Sequence, residues 1–207
     1  MVKVKICGIT NLSDALGASR YGADVLGFIF SKKSPRYIKP QSAKKIISKL
    51  DPFVLKCGVF ANQEKDEVLE IASLLELNIL QFHGDESASF CKSFRRKFKI
   101  VKVFFPKDRP YHDAIAKYSV DGFLFDVKYQ DKIKGQKTLC SDSYKEIAAI
   151  IKKNERVIIS SGLTEKNINN CKNLNPYAID VASGIEEFVG KKDHALMRIF
   201  IEKAKQL

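Results

Sequence analysis

Several clusters along the chain carry groups able to move protons or hold anions. Cys7 follows the alternating run Val2-Lys3-Val4-Lys5-Ile6 and precedes Gly8, which lets the backbone approach a ligand. Its thiolate can take a proton or attack carbon; equally, a free cysteine commonly serves as a small buried apolar residue. Asp126 closes the hydrophobic run Phe123-Leu124-Phe125. Apolar surroundings there raise a carboxyl's pKa and suit it to proton donation, whereas a capping role or pairing with Lys128 is the plainer use. In Ser34-Pro35-Arg36 a stiff proline presents a guanidinium suited to bidentate contact with a carboxylate, or merely a surface arginine. His83, within Gln81-Phe82-His83-Gly84-Asp85-Glu86, can carry a proton, contact a ring or hydrogen-bond its own loop, and a loop or binding role is favoured over catalysis. Ser160-Ser161-Gly162, and Asp180 with Ser183-Gly184 three residues on, are short polar loops. Such loops cradle phosphates with backbone N–H groups, although ordinary capping turns look the same.

The elements that must position these groups follow from periodicity. Short β-branched or aromatic runs at 2–6, 26–30, 56–60, 79–82, 100–104, 122–125, 157–160 and 178–181 read as strands. Between them lie stretches of helical spacing at 43–50, 65–75, 87–97, 111–118, 144–153, 168–171 and 194–205, with a further helix opened by Ser13-Asp14-Ala15. Ser42, Ser143 and Thr164 stand as the expected caps of the helices that follow them. In 65–75, Val68, Leu69, Ile71, Ala72 and Leu75 share one side and leave Lys65, Asp66, Glu67 and Glu70 to water, a stripe that faces a barrel.

Eight such units predict an α/β protein, a single-domain (β/α)8 TIM barrel over residues 1–207, near the lower size limit of that fold. An open doubly wound sheet is the alternative, less supported because neither G-x-G-x-x-G nor G-x-x-x-x-G-K-[ST] follows any strand. In a barrel every strand-to-helix loop opens at one rim, which gathers Cys7, Arg36, His83, Asp126, Ser160, Ser161, Gly162, Asp180, Ser183 and Gly184 at the same end.

Composition narrows the function. With 36 Lys+Arg against 24 Asp+Glu, the formal charge is +12 and 45% of the 207 residues are hydrophobic, so an acidic scaffold and a disordered chain are both excluded. The basic excess is read as lysine-rich helix faces or a field that attracts a small anion. Nucleic acid is not expected as a partner, because no stretch interleaves the lysines with aromatic stacking platforms. No apolar run approaches the ~20 residues that cross a bilayer, and the start lacks the apolar core of a secretory signal, so neither a membrane partner nor export is expected. Five widely spaced cysteines without a C-x-x-C pair indicate neither a disulfide framework nor a zinc site; reduced thiols in a cytoplasm are the expectation. On charge a monomer is favoured, with a homodimer left open.

Taken together the motifs resemble one family, phosphoribosylanthranilate isomerase of tryptophan biosynthesis. The matching stretches are Lys5-Ile6-Cys7-Gly8-Ile9-Thr10, Gly27-Phe28-Ile29-Phe30 with Ser34-Pro35-Arg36-Tyr37-Ile38, Gly58-Val59-Phe60-Ala61-Asn62, Gln81-Phe82-His83-Gly84-Asp85-Glu86, Ser161-Gly162-Leu163 with Asn167, and Ile179-Asp180-Val181-Ala182-Ser183-Gly184-Ile185-Glu186. They run in order through almost the whole chain, each at a strand end. The resemblance implies an Amadori rearrangement of an anionic phosphosugar without metal or organic cofactor. It implies Asp126 as general acid, Cys7 as general base, Arg36 on the substrate carboxylate, and Ser160, Ser161, Gly162, Ser183 and Gly184 around the phosphate. The chain departs from the family's usual pattern in three places. Ser161 stands where a glycine is common, Ala182 where a serine is frequent, and Ile133-Lys134-Gly135-Gln136-Lys137-Thr138-Leu139-Cys140-Ser141 replaces a glycine-rich loop ending in Phe-Asp-Trp.

Overall fold

The computed structural model describes residues 1–128, 131, 134–135, 138–153 and 156–207. Eight strands run in chain order: β1 (Lys3–Cys7), β2 (Val25–Ile29), β3 (Leu55–Phe60), β4 (Ile79–Phe82), β5 (Lys99–Phe104), β6 (Gly122–Phe125), β7 (Val157–Ile159) and β8 (Ala178–Val181). Each pairs in parallel with the next, and β8 returns to β1 with Lys5 opposite Asp180, so the sheet closes into a barrel. The (β/α)8 expectation holds.

Alternation along each strand sorts the side chains into two shells. Outward-facing Val4, Ile6, Leu26, Phe28, Leu80, Phe82, Phe123 and Phe125 join the helices in one large apolar cluster. Inward-facing residues form two smaller clusters, one of Cys7, Cys57 and Val59 with Val25, Ile29 and Ile79, the other of Val101, Val103, Phe105, Leu124, Ile158 and Ala178. Continuing that parity places Lys5, Gln81, His83, Asp126, Ser160 and Asp180 on the inner face.

Among the described residues the α-helices include α1 (Leu12–Arg20), α2 (Pro40–Ile47), α3 (Lys65–Leu74), α4 (Ala88–Lys92), α5 (Tyr111–Ile115), α6 (Ser141–Ile151) and α7 (His194–Ala204). Several boundaries differ from the sequence expectation, each for a local reason. Asn11 rather than Ser13 caps α1, its side chain accepting from Asp14 N–H. In α2 the start moves back to Pro40, whose fixed φ suits the first helical turn. Cys140 takes the cap position of α6, and Ser143 lies buried inside that helix, its hydroxyl 3.3 Å from the Cys140 sulfur. The stretch 87–97 is helical only over α4, and after β7 the chain forms a 3₁₀ helix, Ile168–Leu174. An element with no counterpart in the periodicity is the hairpin of β9 (Glu186–Phe188) and β10 (Lys191–Lys192), which follows the β8 loop.

Candidate active site

All eight strands point the same way, so the residues at their C-terminal ends crown one opening. Cys7 is the last residue of β1, 5% exposed and packed against Cys57 and Val59. Asp126 follows β6 directly, 6% exposed. Only β7 and β8 separate their strands on the shorter way round the ring. One carboxylate oxygen of Asp126 accepts from Val127 N–H at 2.7 Å, and the other stands 3.6 Å from His83 Nε2. Gln81 Nε2 lies 3.1 Å from His83 Nδ1. With the amide donating there, Nδ1 is the acceptor and Nε2–H points at Asp126, so an uncharged His83 already offers the carboxylate a donor. Phe105 meets the His83 ring edge-on at 5.5 Å and limits its rotation.

Arg36 reaches the opening from the loop after β2. It crosses Gly8 so closely that a β-carbon there would stand 2.7 Å from Arg36 Cδ, which seats the guanidinium beside the end of β1. Its Nε and Nη2 donate to the two oxygens of Glu186 at 2.8 and 2.6 Å, a bidentate pair. Glu186 also accepts from Lys192 Nζ at 3.0 Å, and Lys192, its side chain wholly buried, donates to Ala182 C=O at 2.8 Å. Burial opposes ionisation of Glu186, but the Arg36 hydrogen bond and the Lys192 charge outweigh it and hold the carboxyl below its ordinary range. For Lys192 burial prevails, lowering its proton affinity despite Glu186. The cluster carries two cations on one carboxylate, which leaves net positive charge beside the opening.

The loops after β7 and β8 meet. A β-carbon on Gly184 would fall 1.8 Å from Leu163 C=O, so only hydrogen fits between them. Asn167 ties the first loop by donating to Gly162 C=O and accepting from Thr164 N–H, both at 2.8 Å. Ser160 and Ser161 are buried, and Ser183 opens a short 3₁₀ turn. Asp180 sits deeper than the rim, paired with Lys5 inside the barrel at 2.8 Å, which is away from the loop position that its place among the binding residues suggested. The altered segment after β6 falls partly outside the described residues, since 133, 136 and 137 are not among them.

Comparison with known proteins decides the family. Residues 4–203 match the sequence profile described as N-(5'phosphoribosyl)anthranilate (PRA) isomerase. The chain belongs to the phosphoribosylanthranilate isomerase family. It is 42% identical over 206 residues to the N-(5'-phosphoribosyl)anthranilate isomerase of Geobacter metallireducens, covering 99% of this chain and 100% of that one. A dimeric phosphoribosylanthranilate isomerase from Thermotoga maritima, solved as generated monomers, superposes with a TM-score of 0.87 at 36% identity over the whole of both chains. A phosphoribosylanthranilate isomerase solved with reduced 1-(o-carboxyphenylamino)-1-deoxyribulose 5-phosphate superposes with a TM-score of 0.83, again at 36% identity and full coverage.

The backbone at position 161 bears on the glycine that the resemblance leads one to expect there. Ser161 adopts φ +81°, where a β-carbon crowds the backbone. Ser161→Gly is therefore expected to stabilise the protein by about 1 kcal/mol through relief of that strain, read as an increase in Tm; an unchanged or lowered Tm would show that the serine side chain compensates.

Reading single residues missed Glu186, Lys192 and Gln81. Nothing local announces the first two, since Glu186 meets Arg36 and Lys192 meets Glu186 only through the β9–β10 hairpin, which is fastened against Thr10 and Asp14. Gln81 was accessible by parity, lying two residues before His83 on an inward-facing strand, with its Oε1 lacking a hydrogen-bond partner among the described residues.

Proposed function

We propose that the protein catalyses the Amadori rearrangement of N-(5-phosphoribosyl)anthranilate to 1-(2-carboxyphenylamino)-1-deoxyribulose 5-phosphate, an isomerisation in tryptophan biosynthesis. The observation that carries this reading is the gathering of Cys7, the Asp126–His83 pair and Arg36 at one end of a barrel that belongs to this family.

Asp126 acts as the general acid. It delivers a proton to the furanose ring oxygen as the C1–O bond breaks, leaving a protonated imine between C1 and the anthranilate nitrogen. That cation draws electrons from C2, and the Cys7 thiolate removes the C2 proton, with the C–H pair forming the C1–C2 double bond of an enolamine. Ketonisation returns a proton to C1 and releases the one on the C2 oxygen, so the product has the composition of the substrate. The imine is the electron sink, which is why a thiolate suffices as base. His83, donating to Asp126 from Nε2, orients the carboxyl.

Arg36 binds the anthranilate carboxylate. Glu186 occupies its Nε–Nη2 edge and holds the plane of the guanidinium, so the clamp is preorganised before substrate arrives. The phosphate lies against the joined loops around Ser160, Ser161, Gly162, Ser183 and Gly184, where backbone N–H groups serve and the missing hydroxyl at Ala182 matters little. Both substrate ends are anionic, so the +12 charge speeds capture.

The direct test is loss of the substrate's own fluorescence when purified protein meets phosphoribosylanthranilate, with chromatographic identification of the product; no turnover above the spontaneous rate rejects the reading. For Arg36→Met the expectation is a KM raised by about 10- to 100-fold with a smaller change in kcat, since a charge-assisted pair contributes roughly 1.5–3 kcal/mol. Unchanged affinity for a product analogue would remove Arg36 from the clamp.

We further infer self-association through the opposite end of the barrel, against the monomer that charge alone favoured. Phe53 is 90% exposed, and Leu55, Tyr177 and Met1 are exposed at the starts of β3, β8 and β1, which is that same end. The dimeric Thermotoga maritima relative supports the reading. Sedimentation velocity should show a species of twice the 23.4 kDa chain mass at micromolar concentration, and a single chain-mass boundary refutes it.

A further inference from the structure

Inside the barrel, below the opening, sits one ion pair that packing does not require. Lys5 Nζ lies 2.8 Å from Asp180 Oδ1, and each side chain is 6% exposed. The two residues are register partners across the β1–β8 closure, on an inner face whose other members include Val25, Ile79 and Ala178. Desolvating two charges is costly, and apolar residues of similar volume commonly serve a core as well or better. A fold-stabilising role is thus a weak account of the pair.

Its placement relative to Cys7 offers a stronger one. Lys5 and Cys7 are two residues apart on β1 and so share the inner face. Opposite Cys7 in register stands Gly27, and a β-carbon there would lie 2.8 Å from Cys7 Sγ and 3.2 Å from Lys5 Cε. The space left by that glycine is where the sulfur and the end of the lysine converge. Burial works against the Lys5 charge, but Asp180 foremost, together with Cys7 and Cys57, more than restores it, so Lys5 stays an ammonium. Burial likewise pushes the Cys7 thiol up, and Lys5 is the largest opposing influence. The other ionisable groups near Cys7 are Asp180 beneath it, Cys57 on β3, Lys192 on the β9–β10 hairpin and Arg36 across Gly8.

We propose that Lys5 is a positioning residue for the isomerisation, its ammonium serving as the built-in counter-ion of the Cys7 thiolate while Asp180 holds it in place and limits the charge the sulfur feels. The inference rests on Cys7 being the base of the proposed reaction. When the thiolate forms, the S–H proton leaves to water and Lys5 keeps all of its own; the sulfur then takes the C2 proton of substrate. Lys5 never exchanges a proton with the substrate.

The test uses full-length protein carrying Cys140→Ser, because Cys140 is the exposed thiol among the described residues. The pH dependence of Cys7 alkylation by iodoacetamide, followed by peptide mass mapping, reads the thiolate without reference to turnover. Lys5→Met should move the midpoint up by about one pH unit or more, a tenfold or greater loss of thiolate at neutral pH, and Asp180→Asn should move it down. Should Lys5→Met fail to fold around an unpaired Asp180, the double variant Lys5→Met/Asp180→Asn carries neither charge and should still titrate above the native protein. The acid limb of kcat/KM should shift with the alkylation midpoint in each variant, an outcome a merely structural pair would not produce. A midpoint unmoved in Lys5→Met, or in the double variant if only that folds, overturns the inference even with isomerase activity intact. Midpoints that move as stated in a protein without isomerase activity sustain the Lys5–Cys7 coupling and reject the reaction instead.

Discussion

Cys7→Ser is expected to lower kcat by about 10³-fold, within the range that loss of a positioned general base produces, while leaving KM for phosphoribosylanthranilate close to native. The physical difference is confined to one atom. A serine hydroxyl is far weaker as an acid than a thiol, so even beside the Lys5 ammonium it offers almost no anion to take a proton from carbon. Geometry barely changes, since the side chain remains packed against Cys57 and Val59 at the end of β1. In the proposed binding mode the substrate's anionic ends are held elsewhere, by Arg36 and by the loops after β7 and β8, so ground-state binding should survive. The decisive measurement is steady-state fluorescence kinetics beside a near-ultraviolet dichroism spectrum. A natively folded variant with near-normal kcat would remove Cys7 from the chemistry.

The second large effect is expected at Asp126→Asn, a fall in kcat of about 10²- to 10⁴-fold. The amide keeps the size of the carboxyl, and its oxygen can still accept from Val127 N–H as Asp126 Oδ1 does at 2.7 Å. It has no acidic proton to deliver to the ring oxygen, so in the proposed mechanism ring opening loses its acid while the base at Cys7 remains. The two variants separate the halves of the reaction: a substrate supplied already as the open-chain imine would restore rate to Asp126→Asn and not to Cys7→Ser. Retention of most turnover in Asp126→Asn with the closed-ring substrate would assign the acid to another group. His83 is the first to consider, 3.6 Å away and carrying the proton that the Gln81 contact places on Nε2.

Much of this was legible from the chain alone because a barrel of repeated units is encoded locally. Runs such as 79–82 and 122–125 state their own conformation through β-branched and aromatic residues, and their parity states which side chains turn inward. The residue ending a strand is then at the rim whatever the rest of the fold does, which is how Cys7 and Asp126 are found without coordinates. Caps were less legible. Asn11, Lys39 and Cys140 head their helices in place of the serines nearby, since which of several adjacent polar residues caps a helix depends on where the preceding loop leaves the backbone.

Residue type and spacing by themselves determined the eightfold alternation, the inner and outer faces of each strand and the identity of the groups at the rim, because these are properties of a few consecutive residues. Tertiary structure alone decided the pairing of charges. Lys5 meets Asp180 across 175 residues only because β8 closes on β1 in one particular register, and Arg36 meets Glu186 across 150 only because the β9–β10 hairpin is fastened against Thr10 and Asp14. A Coulomb interaction depends on separation and on the loss of water around it, and both are set by the packed chain rather than by position along it.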